Sequence, residues 1–203
     1  MISAIFLAAG CSKRMGNTKL LLPIKQNLTT ILELSLNNLI KSKVNEIIIV
    51  LGYKYNKISK VVIRSFYQTH KNYKIIYNPD YKKGMSTSIK QGIQNINPES
   101  LGIMIVLSDQ PFINPDIFDL LIDNFNNKKG IIVPVFNGQR GHPVIFSKSY
   151  IPELLLLEGD IGGREILKKY PDDILEVPVN DKNILIDIDD KIDYEKFKNY
   201  YSF

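Results

Sequence analysis

Short runs of β-branched residues alternate with longer stretches of helical period along nearly the whole of this chain, and that alternation leaves few folds open. Strands are expected at Ile2–Leu7, Glu46–Leu51, Lys74–Tyr77, Leu101–Leu107, Gly130–Val135 and Pro143–Phe146. Helices are expected at Thr30–Lys41, Lys57–Phe66, Ser86–Asn95, Pro115–Asn126, Ile151–Leu157, Gly163–Lys169 and Tyr194–Tyr200. Repetition of strand and helix is the signature of a parallel sheet with crossover helices. Local signals agree: Thr30 with Glu33 has the pattern of a capping box, and Asn114-Pro115 is a cap followed by proline in the first helical turn. No linker, low-complexity segment or internal repeat intervenes. The 203 residues are therefore expected to form one α/β domain, residues 1–203, around a doubly wound, mostly parallel sheet. In such sheets ligands bind beyond the carboxyl ends of the strands, where the strand order reverses.

Composition excludes several classes. A hydrophobic share of 44% and a charged share of 23% are those of an ordinary globular protein. The lone cysteine, Cys11, has no partner for an intramolecular disulfide and suits a reducing, cytoplasmic setting. A net charge of +5 favours anionic partners, but the lysines are scattered, so no nucleic-acid stripe is expected. The run Ile5–Cys11 imitates a lipoprotein signal. It lacks preceding positive charges and is too short for an apolar signal core, and no stretch is long enough to span a membrane.

The chemistry-bearing residues fall just after strands. Leu7-Ala8-Ala9-Gly10 is small enough for backbone to approach a ligand, and Arg14 and Lys19 follow. Exposed N–H groups with two cations suit a triphosphate, although a surface loop with incidental basic residues has the same composition. The spacing is that of neither a Walker loop nor a G-x-G-x-x-G turn. Gly84-Met85-Ser86-Thr87-Ser88 opens a helix, where Ser86 or Ser88 can cap it or meet a ligand hydroxyl. Asp109, at the end of the most apolar strand, can hold Mg²⁺ against phosphate oxygens or simply cap the next turn. Gly138–Val144 and Gly159–Arg164 are glycine turns, each with an arginine (Arg140, Arg164) suited to a second phosphate. His142 has no histidine or cysteine at ligand spacing, so a structural or substrate-contacting role fits it better than metal ligation. Alternation puts Asp187 and Asp189 on one face of a short strand, while Asp190 and Asp193 suit an acidic helix N-terminus.

Taken together, L-A-A-G-x-S-x-R-M-G-x-x-K from Leu7 to Lys19 resembles the signature of the MobA-like nucleotidyltransferases, and within them that of the molybdenum cofactor cytidylyltransferases. Gly84–Ser88, Leu107–Pro111, Gly138–Val144, Gly159–Arg164 and Ile186–Tyr194 resemble further segments of that family, in order. One departure is Lys191, where the family has proline.

The resemblance implies a Rossmann-like fold of the nucleotide-diphospho-sugar transferase type. It also implies transfer of CMP from CTP to the terminal phosphate of molybdenum-bearing molybdopterin, with release of pyrophosphate. In the roles it carries over, Arg14, Lys19 and Asp109 are catalytic, and Asp109 with Asp189 binds Mg²⁺. Leu7, Ala8, Ala9, Gly10, Gly84, Ser86 and Ser88 bind nucleotide with them. Arg140, Gly141, His142, Gly162, Gly163 and Arg164 bind the acceptor. The guanylyl branch has glycine where this chain has Ala9, which points to CTP. A molybdoenzyme or its maturation chaperone would be the protein partner. Competing expectations are a guanylyltransferase, a sugar-phosphate or other small-acceptor nucleotidyltransferase of the same fold, and a non-catalytic molybdopterin chaperone.

Overall fold

A computed structural model describes residues 1–11, 15, 18–24, 29–67, 69–125 and 128–198. Its frame is one sheet of eight strands: β1 (Ile2–Ala8), β2 (Glu46–Leu51), β3 (Asn72–Tyr77), β4 (Gly102–Leu107), β5 (Ile131–Phe136), β6 (Gln139–Arg140), β7 (Val144–Ser147) and β8 (Ile174–Pro178). The order is β3-β2-β1-β4-β7-β5-β6, with β8 beside β5. β3, β2, β1 and β4 are mutually parallel, and β8 is parallel to β5. β7 runs antiparallel to both β4 and β5, so the sheet is mixed but mostly parallel, as expected.

Residues of β1 and β2 are buried throughout, because helices cover both faces. Ile2, Ala4, Phe6 and Ala8 point to one core, which is completed by α1 (Ile31–Ile40), α2 (Tyr55–Ser65), α4 (Pro115–Asp123) and α7 (Lys191–Phe197). Ile5 and Leu7 point to the other, beneath α3 (Met85–Ile93), α5 (Ile151–Leu156) and α6 (Arg164–Lys169). The period of two in β1 is thus the division between the two helical layers.

Several helix ends follow the sequence signals. Thr30 Oγ1 accepts from Glu33 N–H at 3.2 Å while Thr30 N–H donates to Glu33 Oε2 at 2.9 Å. Asn114 caps α4, with Pro115 in its first turn. The last helix opens at Lys191 rather than Tyr194, because Asp190 accepts from Ile192 and Asp193 N–H while Asp193 accepts from the Asp190 N–H. Two strands went unforeseen. β6 is two residues of a hairpin, and β8 is a partly exposed edge strand that ends on Pro178. The expected strand at Asp187 and Asp189 is a correction: the segment is assigned to no strand. It runs across the end of the sheet, where Ile188 N–H donates to the Asp109 carbonyl at 3.0 Å.

Among the described residues no helix is long and apolar enough to cross a membrane.

Candidate active site

The strand order reverses between β1 and β4, and the residues after these two strands meet over the reversal. The Ala9 carbonyl accepts from Tyr53 N–H at 3.0 Å, which ties the loop after β1 to the loop after β2. Gly10 has open space where a Cβ would be. Arg14, Ser12, Lys13 and Gly16 lie outside the described residues.

Lys19 opens a short 3-10 turn, Lys19–Leu21, and is 9% exposed. Its Nζ donates to Asp109 Oδ2 at 2.8 Å and to Asp189 Oδ1 at 3.0 Å. Burial pulls the Lys19 pKa down, but the charges and hydrogen bonds of Asp109 and Asp189 outweigh it, and the net shift is upward. Asp109 Oδ1 is buried, and among the described residues it has no hydrogen-bond partner. Asp189 N–H donates to Asp193 Oδ2 at 3.1 Å, so the cap of α7 also fixes the second carboxylate. Asp187 has its pKa raised, first by burial and then by the neighbouring carboxylates of Asp189 and Asp109.

The amino end of α3 faces the same space. Neither Ser86 nor Ser88 caps it; the N-cap is Gly84, at φ 118°. Ser86 N–H donates to the Gly159 carbonyl at 3.1 Å and Met85 N–H to Asp160 Oδ1 at 3.2 Å. A Cβ at Gly84 would lie 2.2 Å from the Gly159 carbonyl group, so the close approach expected of this glycine is made to the 159–160 backbone. Ser88 Oγ accepts from the Nδ2 of fully buried Asn78 at 2.9 Å, and Ser86 is buried beside it.

The expected acceptor residues divide. Gly141 and His142 N–H groups donate to Pro134 and Ile184 carbonyls at 2.9 and 3.1 Å. His142 Nδ1 is buried and unpartnered. Burial and the Arg164 charge lower the His142 pKa to about 4, against an opposing pull from Asp109. Arg164 begins α6. Gly162 and Gly163 leave room for Met85 and for the Phe146 ring, which gives both a packing reason. Arg140 is not part of this group: it is exposed on β6, where its Nε donates to Glu176 Oε1 at 2.7 Å.

A cavity of about 610 Å³ opens over these strand ends, and none of the expected acceptor residues is among the described residues that line it. Leu7, Ala9, Gly10, Lys19, Gly84, Ser88, Asp109 and Asp189 line it, as do Tyr53, Tyr81, Lys82, Met85 and Asp160, which sequence reasoning did not select. Ala8 and Ser86 are buried in β1 and α3 and are not among the described residues that line it.

Residues 4–174 match the MobA-like NTP transferase domain family. A molybdenum cofactor cytidylyltransferase of Escherichia coli is 32% identical over 201 residues, covering 99% of this chain and 97% of that protein.

This chain belongs to the MobA-like NTP transferase family.

Among other relatives, the purine catabolism protein PucB of Bacillus subtilis is 31% identical over 170 residues, covering 81% of this chain and 79% of that protein. The crystal structure of Rv0371c from Mycobacterium tuberculosis superposes with a TM-score of 0.82 at 26% identity, over 98% of this chain and 97% of that one. The chain is thus a nucleotidyltransferase by family, and its cavity sits where the doubly wound sheet reverses.

The family's use of a divalent metal can be tested on the donors present. Two carboxylates converge on one cation, Lys19 Nζ, and Asp109 adds a buried oxygen with no partner. Among the described residues no set of three or more His, Cys, Asp or Glu gathers as a metal site. Two hard oxygen ligands suit Mg²⁺, which keeps waters and shares substrate phosphates instead of filling an all-protein cage. The residues therefore fit it.

Proposed function

We propose that this enzyme transfers CMP from CTP to the terminal phosphate of molybdenum-bearing molybdopterin, with Mg²⁺, and releases pyrophosphate. The observation that carries this reading is the Lys19–Asp109–Asp189 constellation on the cavity wall, in a chain aligned end to end with a cytidylyltransferase.

In the reaction an acceptor phosphate oxygen forms a bond to the α-phosphorus of CTP. The bond from that phosphorus to the bridging oxygen breaks, and the electron pair leaves with pyrophosphate. The attacking oxygen is already ionised near neutral pH, so no general base is required. Catalysis then rests on alignment and on neutralising charge. Bound Mg²⁺ would be held by Asp109 and Asp189 and would supply Lewis-acid stabilisation of the phosphates. Lys19, once turned from the carboxylates, faces the triphosphate as a counter-charge, and the family pattern gives Arg14 the same task. Tyr53 and Tyr81, which follow β2 and β3, line the cavity. The nucleoside is assigned to the tyrosines, and the acceptor, by the family pattern alone, to the His142 and Arg164 segments. Arg140, which the family pattern also places with the acceptor, pairs with Glu176 in the free enzyme.

Ala9 supports the choice of a pyrimidine: it lines the cavity where the guanylyl branch has glycine, and a methyl group there would narrow the space for a base. A non-catalytic molybdopterin chaperone would have no use for a buried lysine between two carboxylates. Pyrophosphate release measured with one NTP at a time, with and without molybdopterin, tests the reading. Release should require CTP, Mg²⁺ and acceptor together; molybdopterin-independent or absent turnover with every NTP overturns it.

A further inference from the structure

Among the described residues, Lys19 bridges two carboxylates at this site, and its place is the place a metal would take. Lys19 Nζ stands 2.8 Å from Asp109 Oδ2 and 3.0 Å from Asp189 Oδ1. An ion touching both oxygens, at about 2.1 Å for Mg²⁺, would occupy the volume of the ammonium group. Both cannot be there at once. The surroundings favour a cation: two carboxylates meet here, and no described residue donates to the buried Asp109 Oδ1. Burying such a pair without a counter-charge is strongly unfavourable. Lys19 is itself buried, yet its side chain lines the cavity that would receive a triphosphate. A long, flexible ammonium stem can swing between two anionic partners with little rearrangement of backbone.

We propose that Lys19 is a placeholder cation. It keeps divalent metal off Asp109 and Asp189 in the free enzyme and yields that place only when a triphosphate offers it another anion. Metal binding is then conditional on nucleotide, and the empty enzyme does not scavenge free divalent ions. This rests on the reading of Asp109 and Asp189 as the metal carboxylates.

The test is Mn²⁺ binding followed by water-proton relaxation enhancement, which separates ion on the protein from ion on free nucleotide. Without nucleotide, Lys19→Met should bind Mn²⁺ about tenfold or more tightly than the wild type, since close charge pairs couple at least that strongly. Lys19→Gln should behave alike, and Lys19→Arg should keep the ion out. A non-hydrolysable CTP analogue with a methylene α,β bridge should tighten Mn²⁺ binding by the wild type far more than by Lys19→Met. Mn²⁺ should also raise the melting temperature of Lys19→Met more than that of the wild type, a readout that verifies folding. Equal or weaker binding by both Lys19→Met and Lys19→Gln, with Asp109→Asn still lowering affinity in the ternary complex, overturns the placeholder role alone. Undiminished binding by Asp109→Asn and Asp189→Asn in the Lys19→Met background overturns the metal reading beneath it.

Discussion

Lys19 Nζ and Asp109 Oδ2 are 2.8 Å apart although 90 residues separate them in the chain. The contact joins the loop after β1 to the end of β4, the two strands between which the sheet order reverses. The fold thus gathers the charge needed for phosphoryl chemistry at the one place where neighbouring loops diverge to leave a crevice. Removing either partner affects more than this pair, since the survivor is left buried. Asp109→Asn should lower turnover by roughly two to four orders of magnitude at saturating Mg²⁺, as expected for loss of a strong electrostatic stabiliser. Lys19→Ala should lower turnover more than nucleotide affinity. Steady-state kinetics read both, and near-normal turnover of Asp109→Asn removes that residue from the metal site.

The two neighbouring carboxylates should separate in the same assay. Asp189 is hydrogen-bonded to Lys19 and held through its backbone by Asp193, while Asp187 is exposed and only influences the others through its charge. Asp189→Asn should therefore resemble Asp109→Asn, and Asp187→Asn should lose less than about tenfold, the scale of one partly screened charge. A larger loss for Asp187→Asn than for Asp189→Asn would exchange their roles.

His142 predicts an acid limb in stability. Its folded pKa, about 4, lies below the unfolded value near 6.5. The unfolded chain therefore binds the extra proton between these values, and stability falls as pH drops from about 6.5 towards 4. The full effect is on the order of 3 kcal/mol. Urea unfolding between pH 6.5 and 5 should show a shallower loss for His142→Gln than for the wild type. Parallel curves would mean the imidazole is protonated in the folded enzyme.

Gly84 tests the clasp between α3 and the 159–160 backbone. Alanine there meets a φ of 118° and places its Cβ 2.2 Å from the Gly159 carbonyl. Gly84→Ala should destabilise by about 1–3 kcal/mol, the range for strained backbone and overpacking. It should also raise the KM for nucleotide, because Gly84, Met85 and Asp160 line the cavity. An unchanged denaturation midpoint would show that the clasp opens freely.

What the sequence made legible was local. The Thr30–Glu33 box and the Asn114 cap each lie within a few residues, and both are present in the fold; Asp190 and Asp193, legible only as an acidic helix start, form a capping box that opens the helix three residues earlier than expected. The small-residue loop after β1 and the strand-end position of Asp109 follow from period and placement, and the cavity includes them. Other features depend on residues far apart. Nothing near Met85 announces that Asp160 accepts its N–H, and no pattern marks Tyr53 and Tyr81 as cavity wall. Arg140 was grouped with Arg164 on turn chemistry, but the β5–β6 hairpin carries it to Glu176 on β8. Two-residue β6 and half-exposed β8 have too little buried alternation to stand out in sequence.

Base and acceptor identity are the central claim, and one competition assay reaches both. Ala9 lines the cavity beside Gly10, and overpacking of a methyl group there against a larger base would be worth about 1–3 kcal/mol, or roughly ten- to hundred-fold in preference. Equal CTP and GTP, with Mg²⁺ and molybdenum-loaded molybdopterin, should give a dinucleotide product that is overwhelmingly the cytosine form, with one pyrophosphate released per product. A product that is equally or mainly the guanine form would contradict the base assignment, and the absence of any molybdopterin dinucleotide would contradict the acceptor.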